Sequence, residues 1–122
     1  MTWAVPHNSH QGGILDTSRV PAPPEIAVHA AAATALAIRV AEALEHVGVL
    51  TLEFFATPEG PRFNEMAPRV HNSGHWTIEG ARASQFENHI RAVCGLPLGS
   101  TELTAPEVLM KNLLGEDVHD WQ

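Results

Sequence analysis

The feature that most constrains this chain is a turn sequence, Pro58-Glu59-Gly60, which separates two stretches rich in apolar residues. Pro58 and Glu59 suit the two central positions of a type I turn, and Gly60 suits the left-handed position that follows them. We therefore expect an antiparallel hairpin with a three-residue loop, whose strands cover residues 47–57 and 61–66.

The predicted register brings two carboxylates together. In a three-residue loop Thr57 faces Pro61, so that Glu53 faces Glu65; in a four-residue loop Glu53 would face Met66 instead. Directly opposed side chains lie about 5 Å apart, where two bare carboxylates repel each other by roughly 3 kcal/mol at an effective dielectric constant of about 20. Because Mg²⁺ binds one or two protein carboxylates together with phosphate oxygens, a magnesium nucleotide would relieve this repulsion.

A solvated hairpin with incidental acids is the alternative interpretation. Phe54, Phe55 and Phe63 flank the carboxylates and argue against an exposed hairpin. A carboxylate in an apolar setting costs free energy unless it has a partner. The aromatic residues therefore favour the metal interpretation.

A loop rich in hydrogen-bonding side chains follows the second carboxylate. Arg69 offers a planar donor fork for carboxylate or phosphate, and His71 can donate a hydrogen bond to a substrate or accept one from it. A rival interpretation takes His71 and His75 as a zinc pair, but the residues between them, 72–74, are poor helix formers. A further alternative is a hydrogen-bonded connector around a buried Trp76.

Helical periodicity predicts two helices packed on the hairpin. The first covers residues 24–46 and is stopped by Gly48. The second covers residues 84–94 and begins with a capping box, Ser84-Gln85-Phe86-Glu87. A final strand is expected over residues 107–114. The positions predicted to be buried are Ile26, Ala30, Ala33, Ala37, Val40 and Leu44 in the first helix and Phe86, Ile90 and Val93 in the second.

Two parts of the hairpin region resemble a known enzyme family. Glu-Phe-Phe at residues 53–55 and Asn-Glu-Met-Ala-Pro-Arg-Val-His-Asn-Ser-Gly-His-Trp at residues 64–76 are similar to the C-terminal part of the ATP-grasp domain of the 5-(carboxyamino)imidazole ribonucleotide synthase family. The similarity includes residues 7–18 upstream and residues 84–98 downstream, and in all it extends over most of the chain, about residues 5–119.

The resemblance implies a fold and a division of the chain. The fold is α/β (α+β): an ATP-grasp C-terminal subdomain with a mainly antiparallel sheet backed by helices. Residues 1–100 would form the C-terminal half of an ATP-grasp domain, and residues 101–122 the truncated start of a small C-terminal domain.

The resemblance also implies an activity. The family is an ATP-dependent carboligase of purine biosynthesis, which converts 5-aminoimidazole ribonucleotide, bicarbonate and ATP to 5-(carboxyamino)imidazole ribonucleotide, ADP and phosphate. By this likeness Glu53 and Glu65 would hold Mg²⁺, and with Asn64 they would bind ATP. Arg69 and His71 would be catalytic. The implied ribonucleotide contacts are Arg69, His71, Asn72 and Ser73.

The family's nucleotide clamp is missing from this sequence. A glycine-rich loop, lysines on two strands and an adenine hinge are absent, and the only lysine is Lys111. We therefore expect a fragment of a longer enzyme that is inactive alone. Two other hypotheses stay open: a fragment of the related formate-dependent glycinamide ribonucleotide transformylase, which we expect to lack the His-Asn-Ser-Gly-His-Trp run, and a non-catalytic interaction domain.

The composition of the chain limits the kinds of molecule that it can be expected to bind. The chain has 122 residues and a net charge of −7 without a basic cluster, which argues against nucleic acid. Its most apolar run, residues 27–38, is too short to cross a bilayer. The single cysteine suits a reducing cytoplasm. We expect a homodimer for the full-length enzyme.

Overall fold

The fold is known from a computed structural model that describes residues 1–119. In chain order its elements are β1 (His7–Gln11), β2 (Ile14–Val20), α1 (Pro24–Ala27), α2 (Ala30–Ala43), β3 (Thr51–Thr57), β4 (Gly60–Ala67), α3 (Thr77–Gly80), α4 (Gln85–Val93) and β5 (Val108–Lys111), with 3-10 turns at Asn72–Gly74 and Gly115–His119. No helix within this range is long and apolar enough to cross a membrane.

The strands form two antiparallel sheets, of order β1-β2-β5 and β3-β4. The turn between β1 and β2 has positive φ at both Gly12 and Gly13, as a two-residue hairpin turn of type I′ requires. The predicted α/β fold with antiparallel sheets and helices is confirmed, although the strands divide into two sheets where we expected one. β5 lies in the segment assigned to a second domain and yet pairs with β2. The boundary between the two predicted domains stays a prediction. The last residues of the second of them, 120–122, lie outside the described range.

In the hairpin β3-β4 the two carboxylates lie opposite each other as predicted, but the loop length and the strand register that bring them together differ from the prediction. The loop has two residues, since Thr57 pairs with Gly60 rather than with Pro61. Gly60 adopts a φ of +123°, which a side chain would disfavour. The register then shifts by one residue at a bulge in which Asn64 is unpaired, and Glu53 faces Glu65 as expected.

The first strand of this hairpin begins at Thr51 rather than at the predicted residue 47. The backbone of Val49 is bonded to side chains instead of to a neighbouring strand. Its N–H donates to Nδ1 of His89 and its carbonyl oxygen lies 3.0 Å from Nε2 of His46. Two histidine side chains therefore satisfy the backbone of the segment that leads into β3.

The first helix differs from its prediction at both its middle and its end. At His29 the helical hydrogen-bond pattern changes, because the His29 N–H donates to the carbonyl of Ile26, three residues earlier, instead of four. This change separates α1 from α2. The predicted stop of the helix at Gly48 was wrong, because α2 ends at Ala43 and Glu45 takes a left-handed φ of +49°. The N–H groups of Glu45 and His46 donate to the carbonyls of Glu42 and Ala41, which is a Schellman motif with glutamate in the usual glycine position.

The second helix has the predicted boundaries but an unexpected buried face. Ser84 caps α4 by accepting a hydrogen bond from the N–H of Glu87 at 3.1 Å. The stripe predicted to be buried is exposed: Phe86, Ile90 and Val93 are 41%, 58% and 52% accessible. In the first helix Leu44 is likewise exposed. The buried residues of α4 are its two carboxamides, Gln85 and Asn88.

A small apolar core lies where the loop after β4 packs on β2. Trp76 packs with Val20 and Ala81, surrounded by Trp3, Leu103, Val108 and Met110. Trp76 is thus buried, as the alternative interpretation of this loop as a connector expected. The loop that carries the hydrogen-bonding side chains is anchored at this core.

The left-handed Glu45 makes a prediction about stability. We expect Glu45→Gly to raise the free energy of unfolding by about 0.5–1 kcal/mol, because a left-handed conformation costs an L-residue about 1–2 kcal/mol and the greater chain entropy of glycine offsets part of the gain. Arg39→Gly, on an exposed position within α2, should lower it by a similar amount. Thermal unfolding measures both; a loss of stability in Glu45→Gly as large as that in Arg39→Gly would contradict the assignment.

Candidate metal centre

Three side chains from the hairpin and the following loop converge on one point. Nδ1 of His71 lies 3.6 Å from Oε1 of Glu53, and Nε2 of His71 lies 3.2 Å from Oε1 of Glu65. One potential ligand atom from each residue lies within 4.8 Å of the other two. This is the one such cluster of three among residues 1–119.

The cluster is closed on one side and open on the other. The side chains of His71 and Glu53 are 11% and 13% accessible, whereas that of Glu65 is 55% accessible. A ligand can therefore reach the cluster from the side of Glu65, whereas Glu53 and His71 lie at its buried side. Asn64, unpaired in the bulge beside Glu65, is exposed on this strand.

The orientation of the His71 ring follows from its hydrogen bonds. His71 is the N-cap of the 3-10 turn, and its Nδ1 lies 2.8 Å from Oγ of Ser73 and accepts from the Ser73 N–H at 3.4 Å. With Nδ1 of His71 beside Ser73, Nε2 is the ring nitrogen that faces the carboxylate of Glu65.

The donor set fits a divalent cation. The carboxylate oxygens of Glu53 and Glu65 lie within 4.8 Å of each other and repel, and a cation bound between them would offset this repulsion. Mg²⁺ prefers carboxylate oxygens, which Glu53 and Glu65 supply, and it keeps several positions for water or phosphate. His71 adds a nitrogen, which Mn²⁺ tolerates better than Mg²⁺ does.

The other predicted site residues lie around this cluster in different settings. Ser73 is buried and Asn72 half-buried, with the Asn72 side chain accepting from the Ser73 N–H. Arg69 is exposed and donates to the carbonyl oxygen of Val70 at 3.0 Å. The zinc pair does not form, because His75 stacks on the ring of Phe86 at 5.9 Å, away from the cluster.

The sequence interpretation missed two parts of the site. It assigned His71 to the substrate alone, whereas the ring lies between the two carboxylates. It also read Gln85 only as part of a helix start, whereas this buried side chain bonds the backbone of His71. Its position within the Ser84-Gln85-Phe86-Glu87 capping box gave no hint of that contact.

A model described as the ATP-grasp domain matches residues 1–86 of the chain. Because this match covers well over half of the sequence, the chain belongs to the ATP-grasp family. Over 94% of its length it is 51% identical to N5-carboxyaminoimidazole ribonucleotide synthase of Vibrio parahaemolyticus, and the predicted resemblance is confirmed. The chain spans 29% of the length of that relative.

Solved structures show the same similarity. The chain is 57% identical, with a TM-score of 0.85, to N5-carboxyaminoimidazole ribonucleotide synthetase of Thermus thermophilus, covering 92% of this chain and 31% of that one. It is 30% identical, with a TM-score of 0.83, to the synthase of Aspergillus clavatus solved with ADP and 5-aminoimidazole ribonucleotide, covering 93% and 31%.

The cluster makes a prediction about metal ions. We expect Mn²⁺ at about a hundred times its dissociation constant to stabilise the folded chain by about 2.7 kcal/mol, and so to raise Tm by roughly 10 °C. Glu53→Gln should remove most of this shift, whereas Glu59→Gln, in the turn of the same hairpin, should keep it. Thermal unfolding with and without the ion measures all three proteins. An equal shift in Glu53→Gln would mean that Mn²⁺ binds elsewhere.

Proposed function

We propose that the chain supplies the magnesium and ribonucleotide contacts of an ATP-dependent carboligase, which forms 5-(carboxyamino)imidazole ribonucleotide from 5-aminoimidazole ribonucleotide, bicarbonate and ATP. The single observation that carries the proposal is the convergence of Glu53, Glu65 and His71 at an open-sided cluster. The names of the relatives support the substrate assignment, as does the Aspergillus clavatus complex with ADP and the ribonucleotide.

The proposed role of the carboxylates is to hold Mg²⁺ against the phosphates of ATP, with Asn64 beside them. Bound there, the ion would offset the charge that develops on the transferred phosphoryl group as bicarbonate is activated to carboxyphosphate. Glu53 is suited to fix the ion because its side chain is nearly buried and held in a paired strand. Glu65 faces the open side, where phosphate oxygens would enter.

The proposed role of the loop is to bind and orient the ribonucleotide. Arg69 is exposed, and its planar fork suits a phosphate or a carboxylate. With Nδ1 of His71 held by Ser73, Nε2 is the ring nitrogen left to contact the ion or the ribonucleotide. Asn72 and Ser73 shape the backbone of the same turn.

Further proposals concern the setting of the enzyme. We propose bicarbonate as the second substrate, a homodimer for the complete protein, and a reducing cytoplasm, which suits a single unpaired cysteine. We also propose that residues 101–122 begin a small C-terminal domain. The comparisons favour this carboligase over the formate-dependent transformylase, since the relatives quoted above carry the carboxyaminoimidazole name.

A chimera tests the proposed function directly. The chain is 48% identical over 120 residues to the Escherichia coli synthase and covers 33% of it, so it can replace the matching region of that enzyme. We expect ADP release that depends on both 5-aminoimidazole ribonucleotide and bicarbonate from the chimera, and none from the 122-residue chain alone. A folded chimera without this activity would contradict the proposal, and so would activity of the isolated chain.

The carboxylates should act as a unit in the chimera. We expect Glu53→Gln and Glu65→Gln each to lower kcat by roughly a hundredfold or more, and the double variant to lose less than the product of the two, because both hold one ion. Arg69→Ala should instead raise KM for the ribonucleotide and leave the Mg²⁺ dependence nearly unchanged.

Steady-state kinetics titrated separately with Mg²⁺ and with ribonucleotide distinguishes these roles. Multiplicative losses in the double variant would indicate that the carboxylates act independently. Near-normal turnover in both single variants would make the pair structural and the assignment wrong.

A further inference from the structure

The backbone of His71 is held at both of its polar groups by one side chain. The N–H of His71 donates to Oε1 of Gln85 at 2.9 Å, and Nε2 of Gln85 donates to the carbonyl of His71 at 2.7 Å. Gln85 is 2% accessible, so these bonds exchange little with water. Both donor and acceptor of the carboxamide are therefore used on the residue whose ring lies between the two carboxylates.

Gln85 is itself fixed by its surroundings. Its backbone N–H donates to Oγ1 of Thr77, which donates to the carbonyl of Gly74. A Cβ on Gly74 would overlap with Oε1 of Gln85, so any other residue at this position would displace the Gln85 carboxamide. The missing side chain of Gly74 thus leaves room for the Gln85 side chain, which contacts the backbone of the turn closely.

No ordinary substitute for glutamine serves both bonds. A glutamate has the same shape but cannot donate to the His71 carbonyl and would place negative charge against it. A methionine fills similar space and makes neither bond, so the N–H and the carbonyl of His71 would lose their buried partner. The contact therefore requires a carboxamide of this length.

We propose that Gln85 is a positioning residue that sets the place of the His71 ring between Glu53 and Glu65, and through it the affinity of the cluster for a divalent cation. This inference rests on the proposed function for its metal. It assigns to the start of α4 a role in the site, although the helix contributes no member of the cluster itself.

The same helix offers a matched control. Asn88 is 3% accessible and holds the backbone of Gly99 in the same two-bond manner, with Gly99 N–H to Oδ1 at 2.8 Å and Nδ2 to the Gly99 carbonyl at 3.1 Å. Gly99 lies in the loop after α4, which supplies nothing to the cluster. Asn88→Asp therefore makes the same chemical change in a buried clamp that holds a different loop.

The test compares Gln85→Glu with Asn88→Asp in the whole chain. Mn²⁺ binding is measured by electron paramagnetic resonance well below each Tm, and exchange of the His71 amide hydrogen by NMR. We expect both variants to lower Tm, but only Gln85→Glu to weaken Mn²⁺ binding, by about tenfold. Because the carboxylate and the His71 carbonyl repel each other, the two-bond contact should open, and exchange of the His71 amide should speed up. Should Gln85→Glu fail to fold, Gln85→Met is expected to show the same losses.

Two results would overturn the proposal: wild-type Mn²⁺ affinity in a folded Gln85 variant, or an equal loss of affinity in Asn88→Asp. If the wild-type chain binds no Mn²⁺, the proposed metal site is refuted, and the positioning role is decided by nuclear Overhauser contacts between the His71 ring and Glu65. Loss of those contacts in Gln85→Glu supports positioning, and their persistence overturns it.

Discussion

The repulsion between Glu53 and Glu65 is the interaction on which the rest of the site depends. Antiparallel pairing places the two side chains opposite each other, and a strand pair gains nothing from two like charges there. The His71 ring lies between them, with Nδ1 3.6 Å from Oε1 of Glu53 and Nε2 3.2 Å from Oε1 of Glu65. A cation between the carboxylates would offset this repulsion, and for this reason we propose Mg²⁺ as the ion bound there.

Polar contacts, more than apolar packing, hold the loop that completes the site. Ser73, Thr77 and Gln85 are all buried, and each has a hydrogen-bond partner. Such a connected buried set specifies one backbone arrangement, since breaking any member leaves others unsatisfied. The adjacent Trp76 core anchors the end of the loop, so the ring of His71 is supported from both the turn and α4.

The sequence predicted the carboxylate pair but not the geometry that produces it. Pro58-Glu59-Gly60 indicated a hairpin, yet the loop is one residue shorter than predicted and a bulge at Asn64 restores the opposition. Local turn preferences carry no information about a compensating bulge further along the strand. The left-handed Glu45 was equally hidden, because Gly48 is the stronger local stop signal and the backbone bonds that select Glu45 form only in the folded helix end.

Burial was the least predictable property. Periodicity on α4 predicted a buried stripe of Phe86, Ile90 and Val93, whereas the helix buries Gln85 and Asn88 and leaves that stripe exposed. Phe55 and Phe63, taken as signs of a covered hairpin, are each 57% accessible. Periodicity identifies an apolar face but not what covers it, and this chain spans 29% of the length of its Vibrio parahaemolyticus relative.

The most direct test of the central claim is an anomalous difference map from crystals of the chain soaked in Mn²⁺. We predict a single strong peak between the carboxylates of Glu53 and Glu65, within about 2.5 Å of an oxygen of each. An ordered cluster with no peak there, in crystals that bind Mn²⁺ elsewhere, would contradict the account.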